Sequence, residues 1–146
     1  MEKRLVANRI QTPDGTILWS RHVHDYVEYV DKNGETYILD GGRDYIRSTV
    51  NKIPPKSLAV YDDAPWEEQR MVILRGTFDK DTNRVWIPLA KLSNDHINNI
   101  IQYNKDYGHN TEVYERELEY RKEHDIFIDE QSYTQADGIQ KIIKSN

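Results

Sequence analysis

The chain has no cysteine, only two phenylalanines and two methionines, and no apolar run near the roughly 20 residues that a membrane-spanning helix needs. Without cysteine it has no disulfides, no thiolate metal ligands and no cysteine nucleophile. The N-terminus, Met1-Glu2-Lys3-Arg4, is charged and unlike a signal peptide. We therefore predict a cytoplasmic protein without a membrane partner.

The sequence also lacks the short motifs of common enzyme classes. It has no phosphate-binding loop, no dinucleotide fingerprint and no Gly-x-Ser-x-Gly elbow. Proteins that bind long nucleic acid are usually basic. This chain is acidic, with a net charge of −5 and an isoelectric point of about 5.5. These observations favour a binding protein over an enzyme, with no cofactor and no long nucleic acid as partner.

Tyrosine supplies most of the aromatic content, with 10 residues in a chain of 146. A buried tyrosine hydroxyl needs a hydrogen-bond partner, so tyrosine suits interfaces better than a dry core. We therefore expect the chain to associate with copies of itself. Its length fits one domain, which we predict to span residues 1–146.

The first part of the chain, residues 5–90, is predicted to be β-rich. Asn33-Gly34 lies between two runs rich in Tyr, Val and Ile, which is the strongest short-range hairpin pattern. Residues 48–69 contain three prolines and little periodicity, so we predict a long loop there. The predicted strands cover residues 5–10, 16–20, 25–31, 35–40, 70–78 and 84–88.

Residues 92–124 are predicted to form a helical hairpin. Ser93 is a good N-cap, isoleucines recur at helical spacing after it, and Gly108 is suited to end the first helix. The tail, residues 125–146, is polar, with a short helix predicted at 139–143. The predicted fold class is α+β: an N-terminal antiparallel β-sheet of hairpins followed by two C-terminal helices.

The first candidate site is a pair of histidines, His22 and His24. If they lie on a strand, their alternation puts both imidazoles on one face, as in some metal sites. A third ligand would then come from Asp40, Asp44 or His96. The alternative is that one histidine caps a turn and the other packs at a sheet edge.

The second candidate site begins at Gly41 and Gly42, after a predicted strand. Consecutive glycines allow positive φ and expose N–H groups, which together make a small anion nest. If Arg43 to Arg47 form a helical turn, their spacing places both guanidinium groups on one side, and such forks suit phosphate. Alternatively, the glycines only permit a tight turn and the arginines pair with nearby carboxylates.

The third set of candidates comes from the helices and the strand before them. Asn98 belongs to a stripe of carboxamides, which can read the edge of a base or form a solvated face, and Asn99 lies further round toward solvent. Arg116 and Arg121 carry flat cations that can stack on a ring, or each pairs with the glutamate four positions before it. Trp86 is either core or a stacking partner for a base.

Four segments give the chain a resemblance to a known family. Residues 20–26 (SRHVHDY) and 40–47 (DGGRDYIR), then 92–97 (LSNDHI) and 117–121 (ELEYR), resemble patterns of small phage proteins. In this order on one chain they are similar to the phage anti-Thoeris proteins of the first described kind. The resemblance covers about residues 5–122.

Members of that family act as sponges for the cyclic ADP-ribose signal of bacterial Thoeris defence. The resemblance implies an α+β protomer that forms a homo-oligomer through its C-terminal helices, either a dimer or a higher assembly such as a hexamer. It also implies binding of a cyclic ADP-ribose-type nucleotide without cleavage, in pockets built from more than one chain, and some relatives hold cyclic oligonucleotides at separate sites. The candidate ligand-binding residues are Trp86, Asn98, Asn99, Arg116, Arg121, Gly41, Gly42, Arg43 and Arg47.

The chain departs from this family in one feature, and its sequence also leaves two alternative functions open. Some relatives carry zinc-ribbon-like cysteines near the N-terminus, and this chain has none. A metal-dependent nucleotide hydrolase would use His22, His24 and an aspartate. A protein-interaction module would instead dock a host protein on its amphipathic helices.

Overall fold

A computed structural model describes residues 2–41, 47–48 and 52–145. Contacts along the chain divide it into two compact units. Unit 1 comprises Met1–Ile73 and Ile139–Asn146, and unit 2 comprises Leu74–Gly138. Within the described ranges, no helix is long and apolar enough to cross a membrane. That residues 1–146 form one domain stays a prediction.

The described elements begin with strands and end mostly with helices. In chain order they are β1 (Leu5–Gln11), β2 (Ile17–Ser20), β3 (Tyr26–Val30), β4 (Thr36–Asp40), β5 (Arg47–Ser48), β6 (Lys56–Ser57), β7 (Val60–Tyr61), α1 (Trp66–Val72), β8 (Leu74–Phe78), β9 (Arg84–Pro88), α2 (Asn94–Asp106), α3 (Glu112–Glu123) and β10 (Ile142–Ile143). The fold class is α+β, as predicted, with antiparallel hairpins followed by the α2–α3 pair.

Unit 1 is organised around β1. This strand pairs antiparallel with β2, β6 and β7, and β10 covers the outer edge of β2. A second sheet has the order β3-β4-β5. Successive residues of a strand point to opposite faces, so alternate side chains meet in one apolar cluster. The cluster consists of Ile10, Leu18, Val27, Tyr37 and Leu39.

Three hairpin loops share one geometry. In each, the N–H of the first residue donates to the carbonyl of the fifth, and the fourth residue has positive φ. These fourth residues are Gly15, Gly34 and Thr82, with φ of 89°, 80° and 66°. Glycine adopts this conformation readily, whereas a β-branched threonine does so only under strain. The predicted Asn33-Gly34 hairpin is confirmed, and Thr82 is a strained position in unit 2.

The first of these loops is held by the carboxylate of Asp14. Burial opposes its ionisation, but hydrogen bonds outweigh burial: the carboxylate accepts from the hydroxyls of Thr12 (2.5 Å) and Tyr29 (2.6 Å) and from the N–H of Thr16 (3.0 Å). Together these bonds hold the pKa of Asp14 well below its usual range.

We expect Asp14→Asn to lower the free energy of unfolding at neutral pH and to have little effect in strong acid. A carboxyl whose folded pKa is depressed stabilises the fold above its unfolded pKa of about 3.9, and this contribution is lost as the pH falls through the lower folded pKa. Urea unfolding of wild type and variant in neutral and strongly acidic buffer measures the difference. A difference that stays constant with pH would contradict the assignment.

Unit 2 contains the β8–β9 ribbon and the α2–α3 helical hairpin. Ser93 caps α2 as predicted, because its hydroxyl accepts from the N–H of His96 at 3.1 Å. Gly108 lies just beyond α2 with a φ of 70°, the left-handed conformation expected of a helix-ending glycine. The local signals for the first helix are therefore confirmed at both of its ends.

A buried ion pair anchors α3 in unit 2. Arg121 is 1% exposed and donates from Nε to Oε2 of Glu117 at 2.7 Å. Its Nη1 donates to Oδ1 of Asn94 at 2.7 Å, and its Nη2 donates to the carbonyls of Leu89 (3.1 Å) and Ala90 (3.3 Å). The guanidinium thus links α3 to the start of α2 and to the turn before it.

The structure differs from the prediction in three places. Residues 48–69 are predicted as a loop, but their described part contains β6, β7 and the start of α1. Helix α1 continues to Val72, so the strand predicted from residue 70 begins at Leu74. Residues 139–143 are predicted as a helix, but β10 pairs with β2 there. Such short strands depend on distant partners, so no local pattern predicts them.

Candidate functional site

A cleft of about 270 Å³ opens on the surface of unit 2. It is bordered by the loop that joins β8 to β9, by the first turns of α2 and by the segment around Tyr133. The residues that line it carry aromatic rings, hydroxyls, carboxamides and charged groups of both signs. The lining residues are Thr77, Phe78, Asp79, Lys80, Ser93, His96, Asn99, Glu130, Gln131, Ser132 and Tyr133.

Asp79 holds the loop on one side of the cleft. Its Oδ2 accepts from Nε2 of Gln135 at 2.9 Å, and its Oδ1 accepts from the N–H groups of Asp81 (2.8 Å) and Asn83 (2.9 Å). The bond from Gln135, followed by those from the loop backbone, lowers the pKa of Asp79. This carboxylate therefore shapes the loop that carries Lys80.

Tyr133 organises the opposite side of the cleft. It is only 7% exposed, although it belongs to the tail that the sequence predicts to be polar. Its hydroxyl accepts from the N–H of Ser93 at 3.1 Å and lies 2.9 Å from Nδ1 of His96, and its carbonyl accepts from the N–H of Lys80 at 3.3 Å. Burial, and then the positive charge of Arg75, lower the pKa of His96.

A row of aromatic and cationic groups runs along one face of the β8–β9 ribbon. The cross-strand pairs are Phe78 with Arg84 and Gly76 with Trp86. The Arg84 guanidinium carbon lies 4.6 Å from the centre of the Phe78 ring and 5.8 Å from that of Trp86. A Cβ atom at Gly76 would lie 2.8 Å from Cζ3 of Trp86, so glycine lets the indole lie across the ribbon. Phe78, 55% exposed, ends this row at the cleft.

The two predicted carboxamides of α2 have different positions. Asn99 lines the cleft. Asn98 is exposed, is not among the lining residues, and donates from Nδ2 to the carbonyl of Asn94 at 3.1 Å. The structure therefore brings Asn99 to the same cleft as Phe78, which Arg84 connects to Trp86.

The two predicted arginines of α3 are also unlike each other. Arg121 is buried, and its guanidinium is bound by Glu117 and by other protein groups, which is the helical pairing considered as the alternative to ligand contact. Arg116 is exposed on the same helix. Neither of them is among the residues that line the cleft.

The glycine-arginine candidates belong to unit 1. Gly41 is buried with a φ of 103°, consistent with the predicted turn. Gly42 and Arg43 lie outside the described residues. Arg47 is in β5, opposite Asp40 in the register of the strand pair. The predicted pair of guanidinium groups on one side of a turn from Arg43 to Arg47 stays a prediction, because most of that segment lies outside the described residues.

The two histidines do not lie on a strand, in contrast to the arrangement considered for a metal site. They belong to the turn between β2 and β3, where Nδ1 of His22 accepts from the N–H of His24 at 3.3 Å. Nε2 of His22 lies 3.8 Å from Oδ1 of Asp25. Across the described residues, no three His, Cys, Asp or Glu side chains are grouped to hold a metal ion. A histidine that caps a turn was the alternative prediction.

Sequence reasoning missed most of the residues that line the cleft, among them Phe78, Lys80 and Tyr133. The predicted strands already placed Phe78 next to the hairpin loop and Lys80 within it, but no local pattern indicated that this loop borders a site. Tyr133 gives no local signal, because the N–H that its hydroxyl accepts belongs to Ser93, 40 residues earlier.

Comparisons with known proteins give no identification. No protein-family model, no curated protein and no solved structure matches this chain. Interpretation of the cleft therefore depends on its own geometry and chemistry.

Proposed function

We propose that this chain binds and sequesters a small nucleotide of the cyclic ADP-ribose type without cleaving it, as a phage protein that blocks Thoeris defence in the host cytoplasm. The observation that carries the proposal is the lining of the unit 2 cleft, where an exposed aromatic ring meets amino, carboxamide and hydroxyl groups. The resemblance of four sequence segments to the anti-Thoeris family supports the same class of ligand.

Phe78 supplies the flat surface that a nucleotide base needs. Stacking of a base on an aromatic side chain contributes about 1–3 kcal/mol. The Arg84 guanidinium, a planar and weakly hydrated cation, lies over one face of this ring, 4.6 Å from its centre, so a base would stack on the other face. A base stacked on Phe78 would therefore lie at the edge of the cleft, next to a positive charge.

The polar lining suits the sugar and phosphate parts of the same ligand. Lys80 brings a positive charge that attracts phosphate, and Asn99 offers both a donor and an acceptor. Glu130 brings a carboxylate, which accepts hydrogen bonds from ribose hydroxyls. Groups of both signs in one cleft match a ligand that carries both phosphates and hydroxyls.

The size of the cleft bears on the predicted oligomer. Its 270 Å³ lies just under the usual range for small-molecule sites, roughly 300–1,000 Å³. One cleft therefore encloses part of a nucleotide of the cyclic ADP-ribose type and leaves the rest uncovered. A second copy of the chain would supply the remaining contacts, in agreement with the proposed homo-oligomer.

Calorimetric titration with cyclic ADP-ribose and with its glycocyclic isomer tests the proposal, followed by release of the ligand and measurement of its mass. The proposal requires saturable binding and recovery of an unchanged ligand. Turnover of the ligand would show that the chain is an enzyme and not a sequestering protein. If neither isomer binds, the chain is not a receptor for nucleotides of the cyclic ADP-ribose type.

Two matched pairs of variants locate the site. We expect Phe78→Ala and Asn99→Ala each to weaken nucleotide binding by about tenfold, because one loses the stack and the other a hydrogen bond. Phe127→Ala and Asn98→Ala are the controls, since both residues are exposed in unit 2 and neither lines the cleft. Titration of all four measures the effect, and equal losses in a variant and its control would contradict this location.

A further inference from the structure

His96 has one ring nitrogen bound and one free. Nδ1 lies 2.9 Å from the hydroxyl oxygen of Tyr133, and Nε2 has no hydrogen-bond partner in the described part of the chain. The residue lines the cleft and is half-buried. In a residue that lines the cleft, a ring nitrogen without a protein partner can bind a ligand atom that enters the cleft.

The hydrogen bonds around Tyr133 determine where the proton of His96 lies. The N–H of Ser93 donates to the Tyr133 hydroxyl oxygen at 3.1 Å, so that oxygen already acts as an acceptor. The hydroxyl proton then remains to be donated, and Nδ1 of His96 lies within hydrogen-bonding distance of the oxygen. Burial and the charge of Arg75 keep the ring neutral near neutral pH, so it carries one proton. If the hydroxyl donates to Nδ1, that proton is on Nε2.

We propose that Tyr133 holds His96 as the Nε2–H tautomer, and that this N–H is a specificity-determining donor to a phosphate oxygen of the ligand in the cleft. The choice of a phosphate oxygen rests on the proposed function. An N–H accepts no hydrogen bond, so this position selects an acceptor atom and rejects a ligand that presents a donor there. Lys80, which lines the same cleft, favours an acceptor with negative charge.

The tautomer is measured without any ligand. Long-range ¹H–¹⁵N spectra of the imidazole rings separate the Nε2–H form, the Nδ1–H form and the imidazolium, and the spectrum of His96→Gln identifies the signals of His96 among the five histidines. We expect the Nε2–H pattern in the wild-type chain at slightly alkaline pH. Tyr133→Phe removes the proton that Nδ1 accepts, and we expect a mixture of the two neutral forms. An Nδ1–H pattern in the wild-type chain would overturn the inference.

Binding variants then test the donor itself, with cyclic ADP-ribose and its glycocyclic isomer as probes. Gln places an amide N–H near the position of Nε2, whereas Asn places its amide near Nδ1. We expect His96→Ala and His96→Asn to weaken binding by about tenfold and His96→Gln by much less. Binding that survives His96→Ala would overturn the donor role and leave the proposed function intact. If the wild-type chain binds neither probe, the proposed function and the ligand role of His96 both fail.

Discussion

Arg121→Met is expected to lower the free energy of unfolding by about 3–5 kcal/mol, the cost of leaving a buried charge without its partner. Glu117 is fully buried, and its carboxylate would lose the guanidinium now 2.7 Å away. Asn94 and the carbonyls of Leu89 and Ala90 would each lose a donor as well. Urea unfolding of the unliganded chain measures the loss.

Two further variants separate the buried network from other effects. Arg116→Met changes an exposed arginine on the same helix and should stay within about 0.5 kcal/mol of wild type. In Arg121→Met combined with Glu117→Leu no charge is left unpaired, so part of the loss should be recovered. If the double variant is less stable than Arg121→Met alone, an uncompensated carboxylate does not explain the cost.

Leu39→Ala is expected to lower the free energy of unfolding by about 2–5 kcal/mol, because it removes a fully buried side chain and leaves a cavity in the core cluster of unit 1. The control is Val30→Ala on the neighbouring strand, where the side chain is 58% exposed and little packing is lost. Urea unfolding compares the two. Similar losses in both variants would contradict the assignment of the core.

Taken together, the two destabilising variants test the single-domain prediction. Arg121 lies in unit 2 and Leu39 lies in unit 1. If residues 1–146 unfold as one domain, both substitutions lower the same calorimetric transition. If the units unfold separately, each substitution lowers one transition and leaves another unchanged.

The parts of the fold that were predictable are those set by neighbouring residues. The turn at Gly34 and the ends of α2 at Ser93 and Gly108 depend on side chains or φ angles within a few positions, and all three are confirmed. Helix α1 had a usable signal, since Pro65 precedes it and two glutamates lie in its first turn. The short strands β6, β7 and β10 had none, because each exists only through pairing with β1 or β2.

The candidate site was predictable only in part, for the same reason. The carboxamide of Asn99 is visible in the helical pattern, but its place in the cleft depends on how the tail packs. The guanidinium of Arg121 is equally visible, yet a glutamate one turn away binds it in the interior. The hydrogen bond between His96 and Tyr133 joins residues 37 positions apart, and no sequence pattern near either residue predicts it.

Strand β10 has a consequence for how the chain is synthesised. The edge of β2 that β10 covers is translated early, whereas β10 follows the whole of unit 2. A nascent chain on the ribosome therefore exposes an unpaired strand edge while unit 2 is translated, and such edges pair readily with other chains. Chaperone binding or self-association of translation intermediates would be concentrated at this edge.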